Sequence, residues 1–197
     1  MMIRYVFVLL LACILCEFAQ ATLVIDQEQS SYDLDGERPS SGYKVGQSFT
    51  AGMTGTLRQI DMGFLKTIDG DGTVEIFSGS GNEGALLQTV SVEIYSEDNS
   101  QANYNPFIVD IPVEESWQYS FYFEPNSLTM PNPYYIGLGY PNPYGSGVLL
   151  AVSNGDPWQI DECDLVFRTW VEPIPEPASA VLMIVGVTML GLGRRKR

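Results

Sequence analysis

WQYSFYFE, at residues 117–124, alternates aromatic and polar side chains. Successive side chains of a β-strand point to opposite faces, so this alternation is typical of a strand with one buried face. The aromatic face is predicted to hold Trp117, Tyr119, Phe121 and Phe123, and the polar face Gln118, Ser120 and Glu124. The stretch therefore predicts a strand that contributes large rings to the core of a sheet protein.

The same signals recur between residues 43 and 171. Short apolar or alternating runs are separated by Gly, Pro, Asn and Asp, and no helical periodicity occurs between the two ends of the chain. Eight further strands are predicted, at residues 43–51, 55–66, 73–78, 86–94, 106–111, 134–140, 148–152 and 164–171. About 150 residues suffice for one two-layer core. The sequence therefore predicts a single antiparallel β-sandwich over residues 22–172.

The N-terminal residues 1–21 have the three parts of a secretory signal peptide. Arg4 supplies a positive charge, residues 5–16 are apolar, and Ala19 and Ala21 frame a small-x-small cleavage site. We therefore expect export through the Sec machinery and cleavage after this site. An alternative is lipidation at Cys13, because the LLAC run that ends there is similar to a lipobox.

The C-terminal end contains an uncharged run at residues 178–193, followed by four cations, Arg194, Arg195, Lys196 and Arg197. As an α-helix the run would be about 24 Å long, short of the roughly 30 Å hydrocarbon core of a bilayer. Basic side chains extend such a span, because they snorkel to the headgroups, and they remain on the cytoplasmic side. We expect a marginal transmembrane helix with the body outside.

Pro175-Glu176-Pro177 lies between the body and this span, and its prolines favour an extended, accessible chain. The tripeptide, the short span and the basic end together resemble the PEP-CTERM sorting signal of exported proteins from exopolysaccharide-producing Gram-negative bacteria. The resemblance covers residues 173–197 and implies cleavage near the tripeptide by an exosortase, a membrane-embedded cysteine-type enzyme. It implies a membrane-anchored precursor whose product reaches the cell surface or the extracellular space. The alternative is an ordinary C-terminal anchor.

The exported part is strongly acidic. Without Arg4, Glu17 and the four C-terminal cations, five basic residues remain against 23 acidic ones, a net charge of about −18. This charge argues against nucleic acid as a partner, because phosphate binding needs clustered cations. It favours solubility, divalent cations, or a neutral or cationic glycan, and the simpler alternative is a solvated acidic surface.

The chain contains no histidine. Cys-His and Ser-His-Asp catalytic arrangements and His-ligated zinc are therefore excluded. Cys13 and Cys16 leave with the signal peptide, so no intramolecular disulfide is expected at Cys163, and the acidic residues on either side disfavour its thiolate. The chain is predicted not to be an enzyme.

A second resemblance concerns the body. Residues 46–51 (GQSFTA), 55–57 (GTL), 72–77 (GTVEIF) and 164–170 (DLVFRTW) resemble a jelly-roll-like sandwich often attached to exported bacterial proteins. Its relatives include stand-alone surface proteins and accessory modules of carbohydrate-active enzymes. The resemblance implies a jelly-roll-like fold and assigns no residue a role.

Two acidic clusters are candidate sites. Asp69, Asp71 and Glu75 are candidate oxygen ligands for calcium, although no cofactor is required, and the alternative is that the Asp-Gly pairs turn the chain into the next strand. Trp158 is a candidate platform for a sugar ring, with Asp161 orienting the hydroxyls. The alternative is that Trp158 packs at the end of the sandwich.

These observations favour a non-enzymatic protein with a structural or adhesive role in the exopolysaccharide layer. The first alternative is a carbohydrate-binding module, with or without structural calcium, and the second is a glycan-cleaving enzyme that uses paired carboxylates. An outward-facing aromatic strip beside carboxylates would favour binding. Buried tryptophans under a smooth acidic surface would favour a purely structural role.

Overall fold

A computed structural model of the chain describes residues 22–32, 36, 39–66, 70–81, 84–95, 103–126 and 135–174. Residues Leu23–Pro173 make up one folded unit. The predicted signal peptide and the predicted C-terminal span, residues 178–193, lie outside the described residues. Within the described ranges, no helix is long and apolar enough to cross a membrane.

Strands account for most of the described body, and they are numbered here in chain order. They are β1 (Val24–Gln29), β2 (Tyr43–Thr50), β3 (Gly55–Lys66), β4 (Gly70–Ser78), β5 (Leu86–Ile94), β6 (Asn103–Val113), β7 (Gln118–Pro125), β8 (Tyr135–Ile136), β9 (Leu138–Gly139), β10 (Leu149–Ser153), β11 (Asp156–Ile160), β12 (Asp164–Leu165) and β13 (Phe167–Pro173).

The strands form two main antiparallel sheets. The five-stranded sheet has the order β1-β13-β3-β6, and the short β8 also pairs with β3. The six-stranded sheet has the order β11-β10-β2-β7-β4-β5. β9 and β12 pair with each other. The prediction of an all-β fold built from sandwich-like sheets is confirmed.

Aromatic rings from both sheets fill the core. Phe123 of β7 meets Phe64 of β3 edge to face at a centroid distance of 5.6 Å, and it stacks with Phe107 of β6 at 6.2 Å. Phe121 lies 5.8 Å from Phe167 of β13. All five rings are buried. Burial of each side chain stabilises the fold by about 1.5–3 kcal/mol, so β7 is central to holding the two sheets together.

The predicted alternation at residues 117–124 is confirmed for three rings and wrong for one. Tyr119, Phe121 and Phe123 are buried in the core. Trp117 precedes β7, and its side chain is 61% exposed. Its N–H donates to the carbonyl oxygen of Glu114, so the chain is still in the turn between β6 and β7 at this residue. The alternation of residue types extends one residue beyond the strand.

Other differences concern the strands that carry few apolar residues. β1 and β11 were not among the predicted strands, because acidic and amide side chains obscure their pattern and β11 contains Pro157. Proline is tolerated in β11 because this strand is at the edge of its sheet. The strand predicted at residues 134–140 is interrupted at Gly137, whose N–H donates to Gly63 and whose carbonyl oxygen accepts from Val166.

Candidate functional site

The outer surface of the five-stranded sheet carries a row of residues that crosses four strands. Cross-strand pairing places Ile25 of β1 beside Trp170 of β13, Trp170 beside Gln59 of β3, and Gln59 beside Ile108 of β6. Directly opposed residues share one face of a sheet. Ile108 is 65% exposed, Ile25 is 40% exposed and Trp170 is partly exposed. We call these four residues the Trp170 row.

Asp61 holds two members of the Trp170 row in place. The indole N–H of Trp170 donates to Asp61 Oδ2 at 2.7 Å, and Gln59 Nε2 donates to Asp61 Oδ1 at 2.6 Å. Asp61 is itself buried, with 4% of its surface exposed. Because the first bond reaches from β13 to β3, the indole lies across the two strands. Trp170 is therefore a positioned aromatic ring.

Arg168 lies next to the Trp170 row on the same face. Its Nε donates to Glu28 Oε1 at 2.6 Å, and its guanidinium carbon lies 3.9 Å from the centroid of the Tyr104 ring. The Tyr104 hydroxyl is buried and has no hydrogen-bond partner among the described residues. Burial raises the pKa of Tyr104, although the positive charge of Arg168 opposes the rise. One face of the Tyr104 ring is thus occupied by Arg168.

Arg58 is the second cation of this face. Its Nε donates to Glu172 Oε2 at 2.7 Å, and its Nη1 pairs with Asp110. A third basic side chain, that of Lys44, pairs with Glu75 on the six-stranded sheet. The face around Trp170 thus combines an aromatic ring, aliphatic side chains and charges that are locally compensated.

The predicted sugar platform lies on the six-stranded sheet, at its edge strand β11. Trp158 is on the edge strand β11, 39% exposed, with its ring 5.8 Å from that of Tyr43. Asp161 follows in the exposed turn, where its backbone oxygen accepts from Asn142 Nδ2 at 3.0 Å. Trp158 is therefore packed at the sandwich edge on one side and open on the other. Its role in sugar binding stays a prediction.

The predicted calcium ligands are engaged elsewhere. Asp71 Oδ2 accepts from Asn126 Nδ2 at 2.8 Å, and Glu75 Oε2 accepts from Lys44 Nζ at 2.6 Å. Both acids are on β4, four residues and about 13 Å apart along the strand. Asp69 lies outside the described residues. Among the residues that the structure describes, no group of three His, Cys, Asp or Glu side chains could hold a metal ion.

The alternative prediction for this segment, a turn built on the Asp-Gly pairs, is wrong for the second pair. β4 begins at Gly70, so Asp71 and Gly72 are already in the strand. A Cβ at Gly72 would lie 2.3 Å from the Phe123 ring. Glycine is needed here because it lets the ring of β7 approach β4, and the sequence pattern alone cannot distinguish this reason from a turn.

A buried polar cluster lies at the junction of β2 and β12, and it was not predicted. Gln47 Nε2 donates to Asp164 Oδ1 at 2.8 Å, the Tyr144 N–H donates to Asp164 Oδ2 at 2.9 Å, and the Leu165 N–H donates to Gln47 Oε1 at 2.9 Å. The Tyr144 hydroxyl donates to Gln27 on β1 at 2.8 Å. Asp164 and Gln47 are completely buried, so this cluster joins strands and is inaccessible to a ligand.

Burial shifts the acidities in this cluster. It raises the pKa of Asp164, and the hydrogen bonds from Tyr144 and Gln47 oppose the rise. It also raises the pKa of Tyr144 far above the usual tyrosine range. Cys163, next to Asp164, is likewise buried. These groups stabilise the end of the sandwich, and none is presented to solvent in the way a catalytic group requires.

The residues from Pro173 onward match a known sequence motif. A model of the PEP-CTERM protein-sorting motif matches residues 173–197. The chain carries a PEP-CTERM motif. Among curated proteins, a search found no match to the chain.

The PEP-CTERM motif implies an exported protein that an exosortase sorts, made as a membrane-anchored precursor destined for the cell surface. The predicted recognition residues Pro175, Glu176 and Pro177 and the basic residues 194–197 belong to the matched range, and they lie outside the described residues. The predicted signal-cleavage residues Ala19 and Ala21 also lie outside them. β13 ends at Pro173, where the match to the PEP-CTERM motif begins.

Proposed function

We propose that the chain is a non-enzymatic structural or adhesive protein of the exopolysaccharide layer, delivered there by its PEP-CTERM motif. The observation that carries the proposal is the match of this motif immediately after a folded, all-β body. The signal peptide at residues 1–21 directs the precursor to the Sec machinery. The C-terminal helix holds it transiently in the membrane, and the exosortase then releases the body to the surface.

The strand pairing at the two ends of the body supports this processing scheme. β1 begins at Val24, two residues after the proposed new N-terminus, and Val24 pairs with Val171 of β13. Both proposed cuts therefore fall outside the paired strands. Removal of either segment leaves the β1–β13 ladder and the core intact. Processing therefore changes the location of the body and preserves its fold.

The order of the strands supports a jelly-roll arrangement of the body. One sheet has the order β1-β13-β3-β6, and the other contains the order β2-β7-β4-β5. These orders match the two four-stranded sheets of an eight-stranded jelly roll. The β10–β11 hairpin extends the second sheet. Such folds serve many activities, so the role must come from surface chemistry.

The charged groups described above support a non-enzymatic role. The two buried carboxylates described above already have hydrogen-bond donors. Asp61 accepts from Trp170 and Gln59, and Asp164 accepts from Gln47 and Tyr144. General acid–base chemistry needs a group that can reach the reacting atom. Carboxylates that hold the fold together do not meet this requirement.

A carbohydrate-binding role is the second candidate, and the partly exposed Trp170 row favours it. An aromatic ring beside amide and carboxylate groups is the usual chemistry of a sugar-binding surface.

Sorting can be tested by mass spectrometry of the exported protein. The segment after Pro177 should be absent from the exported form, and a Glu176→Ala variant should keep its tail and accumulate in the membrane. A matched control is Glu162→Gln, which changes an exposed acid in the turn after β11 and should be processed as the wild type. Detection of Arg197 in the exported wild-type protein would refute removal of the tail.

A further inference from the structure

We propose that the Trp170 row is the binding surface for a neutral polysaccharide strand, which crosses the five-stranded sheet from β1 to β6. This proposal rests on the proposed location in the exopolysaccharide layer and names the surface that contacts the layer. The row differs in position from Trp158 and Asp161, the residues that the sequence suggested for this task. Three inter-strand spacings separate its ends, which is about 14 Å.

Trp170 provides the stacking platform. An indole presents a large apolar face, and the faces of a neutral sugar ring are largely apolar CH groups that can lie against it. The bond from the indole N–H to Asp61 Oδ2, at 2.7 Å, fixes the ring before a ligand arrives. A positioned side chain loses little conformational freedom on binding, so more of the contact energy remains for affinity. Ile25 and Ile108, both exposed, extend the apolar contact on either side.

Gln59 provides hydrogen bonds to sugar hydroxyls. It lies between Trp170 and Ile108 in the row, and one of its two amide protons binds Asp61. A carboxamide has a second proton and an acceptor oxygen, so Gln59 can both donate to and accept from hydroxyl groups. Because Asp61 holds Gln59 and Trp170 together, the hydrogen-bonding group and the stacking ring are fixed relative to each other.

The charge distribution selects a neutral ligand. The exported part has a net charge of about −18, which repels an acidic polysaccharide and a second copy of the chain alike. The cations of this face do not reverse the effect, because Arg168 pairs with Glu28 and Arg58 pairs with Glu172. A neutral glycan encounters neither this repulsion nor the cost of breaking those pairs.

Tyr104 does not act as a second platform. The guanidinium of Arg168 covers its ring at 3.9 Å. Binding should therefore depend on one tryptophan, and loss of that indole should have a large effect. This dependence separates the proposal from general adhesion by the acidic surface, which no single aromatic residue would control.

Affinity electrophoresis of the exported protein tests the site. Native gels would contain hydroxyethyl cellulose, galactomannan or dextran as neutral probes, and alginate as an acidic probe. We expect at least one neutral polymer to retard the wild type and alginate to have no effect. Trp170→Ala should weaken the retardation at least tenfold, whereas the matched control Trp117→Ala, at the exposed turn before β7, should migrate as the wild type. Trp158→Ala is measured beside them, because the β11 edge is the competing candidate surface.

Two further variants guard against an unfolded Trp170→Ala protein. Gln59→Ala should weaken retardation several-fold and still unfold cooperatively in urea, at a lower midpoint because the buried Asp61 Oδ1 loses its donor. Trp170→Phe, which keeps a ring, should retain part of the binding. Equal retardation of wild type and Trp170→Ala, retardation by alginate alone, or no retardation by any neutral polymer would overturn the proposal. Loss only in Trp158→Ala would instead assign binding to the β11 edge, and a dimer that Trp170→Ala dissociates would assign the row to self-association.

This experiment is independent of sorting. Normal tail removal without retardation refutes the glycan surface and leaves the sorting proposal standing. An intact tail with normal retardation does the reverse.

Discussion

The outer surfaces of the two sheets differ in whether loops cover them. On the six-stranded sheet, the hydroxyl of Ser120 binds both the N–H and the carbonyl oxygen of Gly81, at 3.1 and 3.0 Å, so the loop after β4 is held against β7. Under it Tyr122 is buried and meets Phe77 edge to face. On the five-stranded sheet, Ile108 and Ile25 remain exposed beside Trp170.

A second segment contributes to the covered surface. Val148 N–H donates to Ser48 Oγ at 2.8 Å, and the Thr50 hydroxyl donates to the carbonyl oxygen of Ser146 at 3.0 Å. The outer face of the six-stranded sheet thereby gains a small apolar cluster of its own, made of Tyr122, Leu150, Val152, Phe77 and Val148. The contrast teaches that the two outer faces of one β-sandwich can differ in burial, with one face covered by loop segments and the other left open.

The largest test of this contrast replaces one apolar residue on each outer face. Tyr122→Ala should lower the free energy of unfolding by about 3 kcal/mol, because it leaves a cavity under the loop. The matched change Ile108→Ala, on the open face, should cost under about 1 kcal/mol. Urea unfolding of both variants measures the difference. Equal losses would show that the two faces are equally buried in solution.

A smaller effect is expected from removing the contact that fastens the loop. Ser120→Ala leaves the N–H and the carbonyl oxygen of Gly81 without their partner, and we expect a loss of about 1–3 kcal/mol. Ser91→Ala, an exposed position on β5 of the same sheet, should change stability by less than about 0.5 kcal/mol. If the two variants unfold at the same urea concentration, the Ser120 hydroxyl does not fasten the loop.

The smallest expected effect concerns the buried polar cluster, whose contribution to stability should depend on pH. Burial raises the pKa of Asp164 in the folded state above its value of 3.8 in the unfolded chain. The folded state therefore binds the proton more tightly, and this contribution to stability is full below pH 3.8 and falls as pH rises through the folded pKa.

Asp164→Asn removes that titration. The advantage of the wild type over Asp164→Asn should therefore be largest in acid and should shrink as the pH rises. Urea unfolding of both proteins from pH 3.5 to 7 measures it. Parallel pH profiles would contradict a raised pKa at this position.

Residue periodicity predicted the core strands because their signal is local. Tyr119, Phe121 and Phe123 alternate with polar residues, and the pleat of a strand directs them to one side whatever surrounds it. The same rule failed at Trp117, where a turn intervenes, and did not reveal the burial of Tyr122. β1 was missed because its pairing with β13 spans the whole body and leaves little trace in residue type.

The candidate surface was only partly predictable. Trp158 and Asp161 were predicted as a site because they are close in sequence. The residues of the Trp170 row come from four strands that are distant in sequence. The link between Asp61 and Trp170 spans 109 positions. No local pattern identifies such a pair, since both residues are ordinary members of alternating strands.

The sequence by itself determined the all-β class through local periodicity and excluded histidine chemistry through composition. It also determined the sorting signal, because the PEP-CTERM motif is contiguous. The tertiary structure alone decided which side chains remain exposed. Exposure depends on which loop or strand covers a residue, and long-range pairing sets that. Tyr122 and Trp170 both belong to outer faces of strands, yet the loop that carries Gly81 buries the first while the second stays accessible.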